Sequence, residues 1–315
     1  MDYVNVWKAV SEATAYSDVY DAYTLIMDWM NIYRGKQEWL KYSYVSLDKR
    51  PYERTRKTLN AAKLITSELA RLVWSENPEI NTDESIADFL DANNFYNNMA
   101  RFSEYGLASG GFALKLFGKD NKLGIDFVPA ECFIPVTWDN VRVTEADFID
   151  RLARDGKVYV RVESHRKTET GYRISYKIYE ESGTTLVKRA ASVIGEELND
   201  VEIATTVPLF TYIKCPEANN LSVFSPLGVS MYANAIGTLE SLDVAFDALS
   251  QEIVLGKKRI IVPAQAVKVV VDPTTGNLVR YFDPSDEVYQ AFDSGDAENM
   301  RITDTTVEMR IDEIR

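Results

Sequence analysis

The stretch SPLGVSMYANAIGTLESLDVAFDALSQEIVLG, from Ser225 to Gly256, decides how the rest of the chain is read. Ser225 is a good N-cap, Pro226 fits the first helical position, and Gly256 stands where a helix would stop. The intervening run of about 30 residues has no further proline, so the spacing predicts one helix of ~45 Å. Apolar side chains recur at Leu227, Met231, Ile236, Leu239, Leu242, Phe246, Leu249 and Ile253, close to the helical period. Glu240, Asp243, Asp247 and Glu252 make an acidic side, and no base interrupts it before Lys257, Lys258 and Arg259. The predicted rod is apolar on one flank, anionic on another and cationic just past its end. A solvated long helix of a mixed domain satisfies the same periodicity.

The chain has 315 residues, enough for two domains, and carries 35 basic against 48 acidic side chains. A net charge of −13 argues against long-range attraction to nucleic acid. Cys132 and Cys215 are too few for a disulfide framework and suit a reduced interior. The opening MDYVNVWKAVSEATAY lacks the basic and apolar regions of a signal peptide. No apolar run reaches the ~18 residues of a membrane-spanning helix, so a soluble protein made inside the cell is expected.

The first 110 residues read as mainly helical. Helices are predicted from Ser17 to Arg34, Thr58 to Ser75, Asp83 to Ala92 and Asn93 to Ala108, with Gly35 and Gly110 as stops. On the second, Leu59, Ala62, Ile65, Leu69, Leu72 and Val73 are expected to face inward. From Arg34 to Arg71 ten basic residues stand against four acidic ones, and LDKRPYERTRK in its middle reads as an exposed loop. After Gly111 the period changes to two. Strands are predicted at 112–117, 124–128, 144–154, 158–165, 172–180, 185–188 and 209–214, with Asp155-Gly156, Thr170-Gly171 and Ser182-Gly183 as turns. Beyond the long helix, 259–262, 266–271 and 278–282 are strand-like, and the last 33 residues hold ten acids against three bases.

Catalytic signatures are sparse. His165 is the only histidine, and its place beside Arg166 and Lys167 reads as an exposed strand position rather than a catalytic base. The cysteines lack metal-ligand spacing, so no metal site is expected. Ser109-Gly110-Gly111 to Gly118-Lys119-Asp120 misses the spacing of a phosphate loop. Asp293, Asp296 and Glu298 around Gly295 miss the EF-hand pattern and read as a solvated acidic loop. No cofactor is implied.

Four stretches in order do resemble one family, the portal proteins of tailed bacteriophages, especially those of phages with Gram-positive hosts. They are Trp29-Met30-Asn31-Ile32-Tyr33-Arg34-Gly35-Lys36, the helix Ala61 to Glu76, Glu104-Tyr105-Gly106-Leu107-Ala108-Ser109-Gly110-Gly111, and Ser225-Pro226-Leu227-Gly228-Val229-Ser230 running on to Gly256-Lys257-Lys258-Arg259-Ile260. The resemblance implies an α+β fold with a wing at 1–224 (helical 1–110, β-rich 111–224), a stem helix at 225–256, a small α/β clip at 257–305 and the start of a second stem element at 306–315. In the family a tunnel loop and crown follow, and here the chain ends about where the second stem helix would begin.

The function implied is structural: a ring, typically of twelve subunits, at one capsid vertex, assembled in the host cytoplasm and passing double-stranded DNA. The partners implied are other copies of the chain, the terminase large subunit, a head–tail adaptor and the capsid or scaffold protein, with no membrane. Leu239, Leu242, Phe246 and Leu249 are then candidates for subunit packing. Glu240, Asp243 and Asp247 are candidates for the channel wall, where rings of acid keep phosphates sliding, or else for pairs with a neighbouring subunit's bases. Lys257, Lys258 and Arg259 are candidates for contact with DNA or the motor, or for neutralising the helix dipole, worth ~0.3–1 kcal/mol per exposed charge. A different head–tail connector ring is the first alternative. An enzyme of unknown chemistry is the second, favoured if two carboxylates prove buried and close.

Overall fold

Helix α1, Ser17–Tyr33, buries Tyr23, Ile26, Trp29, Met30 and Tyr33 at intervals of three and four, the spacing that puts side chains on one face. The computed structural model describes residues 6–8, 17–45, 51–76, 78–119, 122–139, 142–183, 185–194, 198–255, 259–261, 268–271, 276, 278–281 and 303–305. Gly35 ends the turn after α1 at φ 69°, as its sequence position predicts. The chain then forms an antiparallel ribbon, β1 (Lys41–Val45) with β2 (Pro51–Thr55), where the sequence predicts a loop. Almost every residue of the ribbon is exposed, so the apolar alternation that signals a strand is missing. Pro51 is tolerated because it opens a strand that has a neighbour on one side only.

Helices α2 (Ala61–Ser75), α3 (Glu84–Ala92) and α4 (Phe95–Ser109) follow. Their limits lie within about three residues of the sequence expectation, but the face of α2 is a correction. Its inward residues are the small Ala62, Thr66 and Ala70, while Ile65, Leu72 and Val73 are 42%, 51% and 61% exposed and Leu59, just before it, is exposed too. Small side chains let α2 lie close to its neighbours, where Lys63 Nζ meets Tyr33 Oη at 2.9 Å and also Glu104. Tyr33 in turn donates to Glu104 at 2.5 Å, so α1, α2 and α4 meet in one polar knot. Burial, reinforced by the bond to Glu104, pushes the Tyr33 hydroxyl up to about 12, which keeps it a donor at neutral pH.

After Gly110 the structure becomes β-rich. Strands β3 (Gly111–Lys119) and β4 (Lys122–Pro129) form a hairpin, and β11 (Phe210–Lys214) pairs with β3 to complete a three-stranded sheet. A six-stranded antiparallel sheet contains β5 (Phe133–Asp139), β6 (Arg142–Arg154), β7 (Lys157–Lys167), β8 (Tyr172–Ser182), β9 (Thr185–Arg189) and β10 (Val201–Ile203). β5 and β10 extend the predicted meander. The β6–β7 turn uses Asp155 at φ 50° and Gly156 at φ 72°, the left-handed pair that a tight hairpin requires. The main core joins α1 to Phe133, Ile134, Phe148, Val160 and Val162, and a second core gathers Leu90, Phe95, Phe102, Phe112 and Phe127.

The helix read from Ser225 begins later. Helix α5 spans Ile236–Leu255, preceded by a 3-10 turn at Ala233–Ala235. Segment 225–232 is irregular and belongs to the main core, where Leu227, Val229 and Tyr232 are each at most 2% exposed. Ser225 Oγ accepts from Leu227 N–H in a local turn rather than capping a helix. Tertiary burial outweighs the helix start that Ser225-Pro226 would favour.

Compactness divides the chain into Met1–Asp243 and Val244–Arg315, with the boundary inside α5. In the second unit β12 (Arg259–Ile261) pairs with β15 (Thr303–Thr305), and β13 (Lys268–Val271) with β14 (Leu278–Tyr281), antiparallel in both cases.

Candidate assembly site

Asp243 accepts four hydrogen bonds. Its Oδ2 accepts from Gln37 Nε2 and Trp39 Nε1, both at 3.0 Å. Its Oδ1 accepts from Thr58 Oγ1 at 2.7 Å and from the Leu59 N–H at 3.2 Å. Gln37 and Trp39 precede β1, while Thr58 and Leu59 follow β2. One side chain of α5 therefore holds both roots of the ribbon. Thr58 Oγ1 extends the set by accepting from the Asn60 N–H at 2.8 Å and from Gln37 Nε2 at 3.3 Å. Arg56 donates to the Trp39 carbonyl and lies 4.5 Å from the Tyr42 ring, closing the base of the ribbon.

This geometry corrects part of the sequence reading. Asp243 is 3% exposed with both oxygens occupied, and Asp247 is 4% exposed and accepts from Gln251 at 2.5 Å. Buried carboxylates do not line a water-filled channel. Glu240 is exposed. Leu239 is also withdrawn from subunit packing, because it is part of its own chain's core. Leu242 is 39% exposed, Phe246 and Leu249 are half-buried, and Val244, Ile253 and Val254 are 40–54% exposed. Beyond Leu239, these apolar side chains of α5 thus lie partly open, while two of its acids are inside. Lys257 and Lys258 lie outside the described residues, Arg259 opens β12, and Asp293, Asp296 and Glu298 also lie outside them.

A second polar cluster joins the three-stranded and six-stranded sheets of the first unit. Lys115 on β3 meets Glu163 Oε2 on β7 at 2.8 Å, and His165 Nε2 lies 2.8 Å from Glu163 Oε1. His165 is 1% exposed, with Phe148 and Phe210 rings 5.1 and 5.5 Å away, so it is buried rather than the exposed strand residue its neighbours suggest. Alternation along β7 turns Glu163 and His165 to the same side, while Arg166 turns away to Asp147. A cavity of about 210 Å³ adjoins the cluster, lined by Lys115, Asp126, Phe148, Asp150 and Arg161. Burial alone would raise the Glu163 pKa. The hydrogen bond to His165 and the Lys115 charge overcome it and hold the group at about 2. Its depressed pKa means that it stabilises the fold fully above pH 4.5 and loses that contribution as pH falls toward 2. The contribution is on the order of 3 kcal/mol. Urea midpoints of wild type and Glu163→Gln should therefore differ at pH 7, and the difference should shrink steadily as pH falls from 4.5 toward 2. A constant gap across that range would contradict the assignment.

Gln37, Trp39 and Thr58 carry no motif. The signal available was the spacing Leu239, Asp243, Asp247, four residues apart, which places both acids on the buried stripe of α5. Cys132 and Cys215 are free and buried. A family model described as phage portal protein, SPP1 Gp6-like, matches residues 16–314. No curated protein matches the chain.

Proposed function

The chain belongs to the SPP1 Gp6-like family of phage portal proteins, structural head–tail connectors of the virion, and from that premise we propose how its parts serve a ring. Twelve copies stand at one capsid vertex, assembled in the host cytoplasm, with α5 as the stem element and the β-rich part of the first unit as the wing. The observation that carries this reading, beside the family, is the open apolar flank of α5. Leu242, Phe246 and Leu249 pack against the neighbouring subunit, since apolar area left in water contributes ~25 cal/mol per Å² once covered. Glu240 is the stem acid that faces the channel, where negative charge keeps passing phosphates from binding. Residues 257–305 form the clip, whose Lys257, Lys258 and Arg259 touch DNA or the terminase. Residues 306–315 lead into a second stem element, and a head–tail adaptor and the capsid or scaffold protein complete the partners.

Native mass spectrometry of the full-length protein tests the assembly. Leu242→Asp should abolish rings, because an unpaired charge in an apolar contact costs at least ~2 kcal/mol at every subunit boundary. Rings of normal size from that variant would remove α5 from the interface. In the same preparation, rings carrying Glu240→Lys should hold DNA to higher salt than wild type. Unchanged retention would place Glu240 away from the channel.

A further inference from the structure

Helix α2 carries two apolar faces, and its own chain covers only one. The small Ala62, Thr66 and Ala70 point inward. Ile65, Leu69 and Leu72 follow the four-and-three spacing of a second ridge, with Leu64 at 59% and Val73 at 61% exposure on its flanks. Contiguous aliphatic side chains of this size left in water mark an interaction site. The charges of the helix are already engaged within the chain. Lys63 is paired with Glu104, and Arg71 Nε donates to Glu68 at 2.9 Å.

The loop that leads into segment 225–232 offers a knob. Phe224 is 89%, Val223 80% and Leu221 53% exposed. The backbone beneath them is nonetheless fixed. Asn219 Oδ1 accepts from the Leu221 and Ser222 N–H groups at 3.0 and 2.8 Å, and its Nδ2 donates to the Leu227 carbonyl at 3.0 Å. Trp138 Nε1 donates to the Phe224 carbonyl at 3.2 Å. An aromatic side chain on a backbone held in this way gives up little freedom on contact, as an interface anchor requires. The loop also lacks charge. No charged residue occurs from Ala218 to Leu239, in a chain of net charge −13. Between two copies of so acidic a chain, an uncharged knob meets the least repulsion.

We propose that Leu221, Val223 and Phe224 of one subunit pack on the Ile65, Leu69 and Leu72 ridge of α2 in the next subunit. Both surfaces are open in the single chain, so they do not cover each other there. Symmetry selects the pairing. Knob on knob is isologous and closes a dimer, whereas knob on ridge is heterologous and closes a ring. Area points to the same occupant. Leu242, Phe246 and Leu249 alone are too few for the ~800 Å² per side of a stable boundary, and Phe224 can add ~150 Å² to it. The inference rests on the ring proposed above.

Photo-cross-linking of the full-length protein tests it, with ring formation scored before irradiation. Phe224 is replaced by benzoylphenylalanine, and these chains are mixed with isotope-labelled ones. Cross-links should fall within residues 61–75 and join labelled to unlabelled chains. The same probe in place of Leu221 gives a second readout where bulk at 224 hinders assembly. Rings whose cross-links stay within one chain, or reach another segment of the neighbour, overturn the contact and leave the ring standing. Absence of rings from the unmodified chain overturns both. Independently, Phe224→Ser should cut ring yield about tenfold. The urea midpoint of the unassembled subunit should not fall, because the side chain is already in water. Leu72→Ser should cut the yield likewise, and the double variant should be no worse than the poorer single one. Losses that multiply in the double variant, or normal rings from Phe224→Ser, would overturn the pairing.

Discussion

Asp243→Ala is expected to lower the free energy of unfolding by about 3–5 kcal/mol. The change removes one carboxylate and leaves donors on Gln37, Trp39, Thr58 and Leu59 without their acceptor. Each buried donor left unpaired costs ~1–3 kcal/mol, reduced where the side chain can turn toward water. An exposed acid such as Glu240 has no such set, and its removal should lie within ~0.5 kcal/mol of neutral. Asp243→Asn keeps one acceptor oxygen but points an N–H₂ at two donors, so it should recover only part of the loss. The loss should also be local. With both roots released, trypsin should cut after Arg54 sooner than elsewhere in the first unit. Urea midpoints and cleavage order measure the two effects. A midpoint equal to wild type would mean that the carboxylate does not organise the ribbon.

The sequence exposes what depends on local chemistry and hides what depends on distant partners. Helix limits at Tyr33, Ala92 and Ser109 and the turn at Asp155-Gly156 were legible because Gly, Asn and Asp mark backbone reversals by their own conformational preferences. The inward face of α2 was not, because close helix packing selected Ala62, Thr66 and Ala70 over the larger Ile65, Leu72 and Val73. The ribbon β1–β2 was missed because alternation arises from a buried face, and this ribbon has none. His165 and Asp243 look like solvent-facing polar residues in one dimension. Each becomes buried only through partners far along the chain, Phe148 and Phe210 for the first and Gln37, Trp39 and Thr58 for the second. The order of the four family-like stretches, by contrast, survives without any contact being known, and the family match over 16–314 agrees with it.

Gly228→Ala is expected to destabilise the first unit by at least about 3 kcal/mol. A Cβ built there meets the Gly110 carbonyl oxygen at 2.0 Å, and the Cys215 nitrogen stands 3.3 Å away. Both neighbours are backbone, so no side chain can swing aside. The approach is reciprocal: Gly110, at φ 94°, would place its own Cβ 2.5 Å from the Gly228 oxygen. Two hydrogen bonds stitch the same seam, from Cys215 N–H to Gly110 C=O at 2.9 Å and from Met231 N–H to Leu107 C=O at 3.0 Å. Moving segment 225–232 outward would strain the Met231–Leu107 bond and pull the buried Leu227, Val229 and Tyr232 from the main core. Gly237 supplies the control, since it lies in the first turn of α5 with no atom within 4 Å of its would-be Cβ. Alanine there should stabilise the helix by ~0.5–1 kcal/mol. Thermal unfolding of the two single variants should therefore shift in opposite directions. If Gly228→Ala behaved like Gly237→Ala, the seam would not be closed, and residues 225–235 would be free to extend α5 as their periodicity suggests.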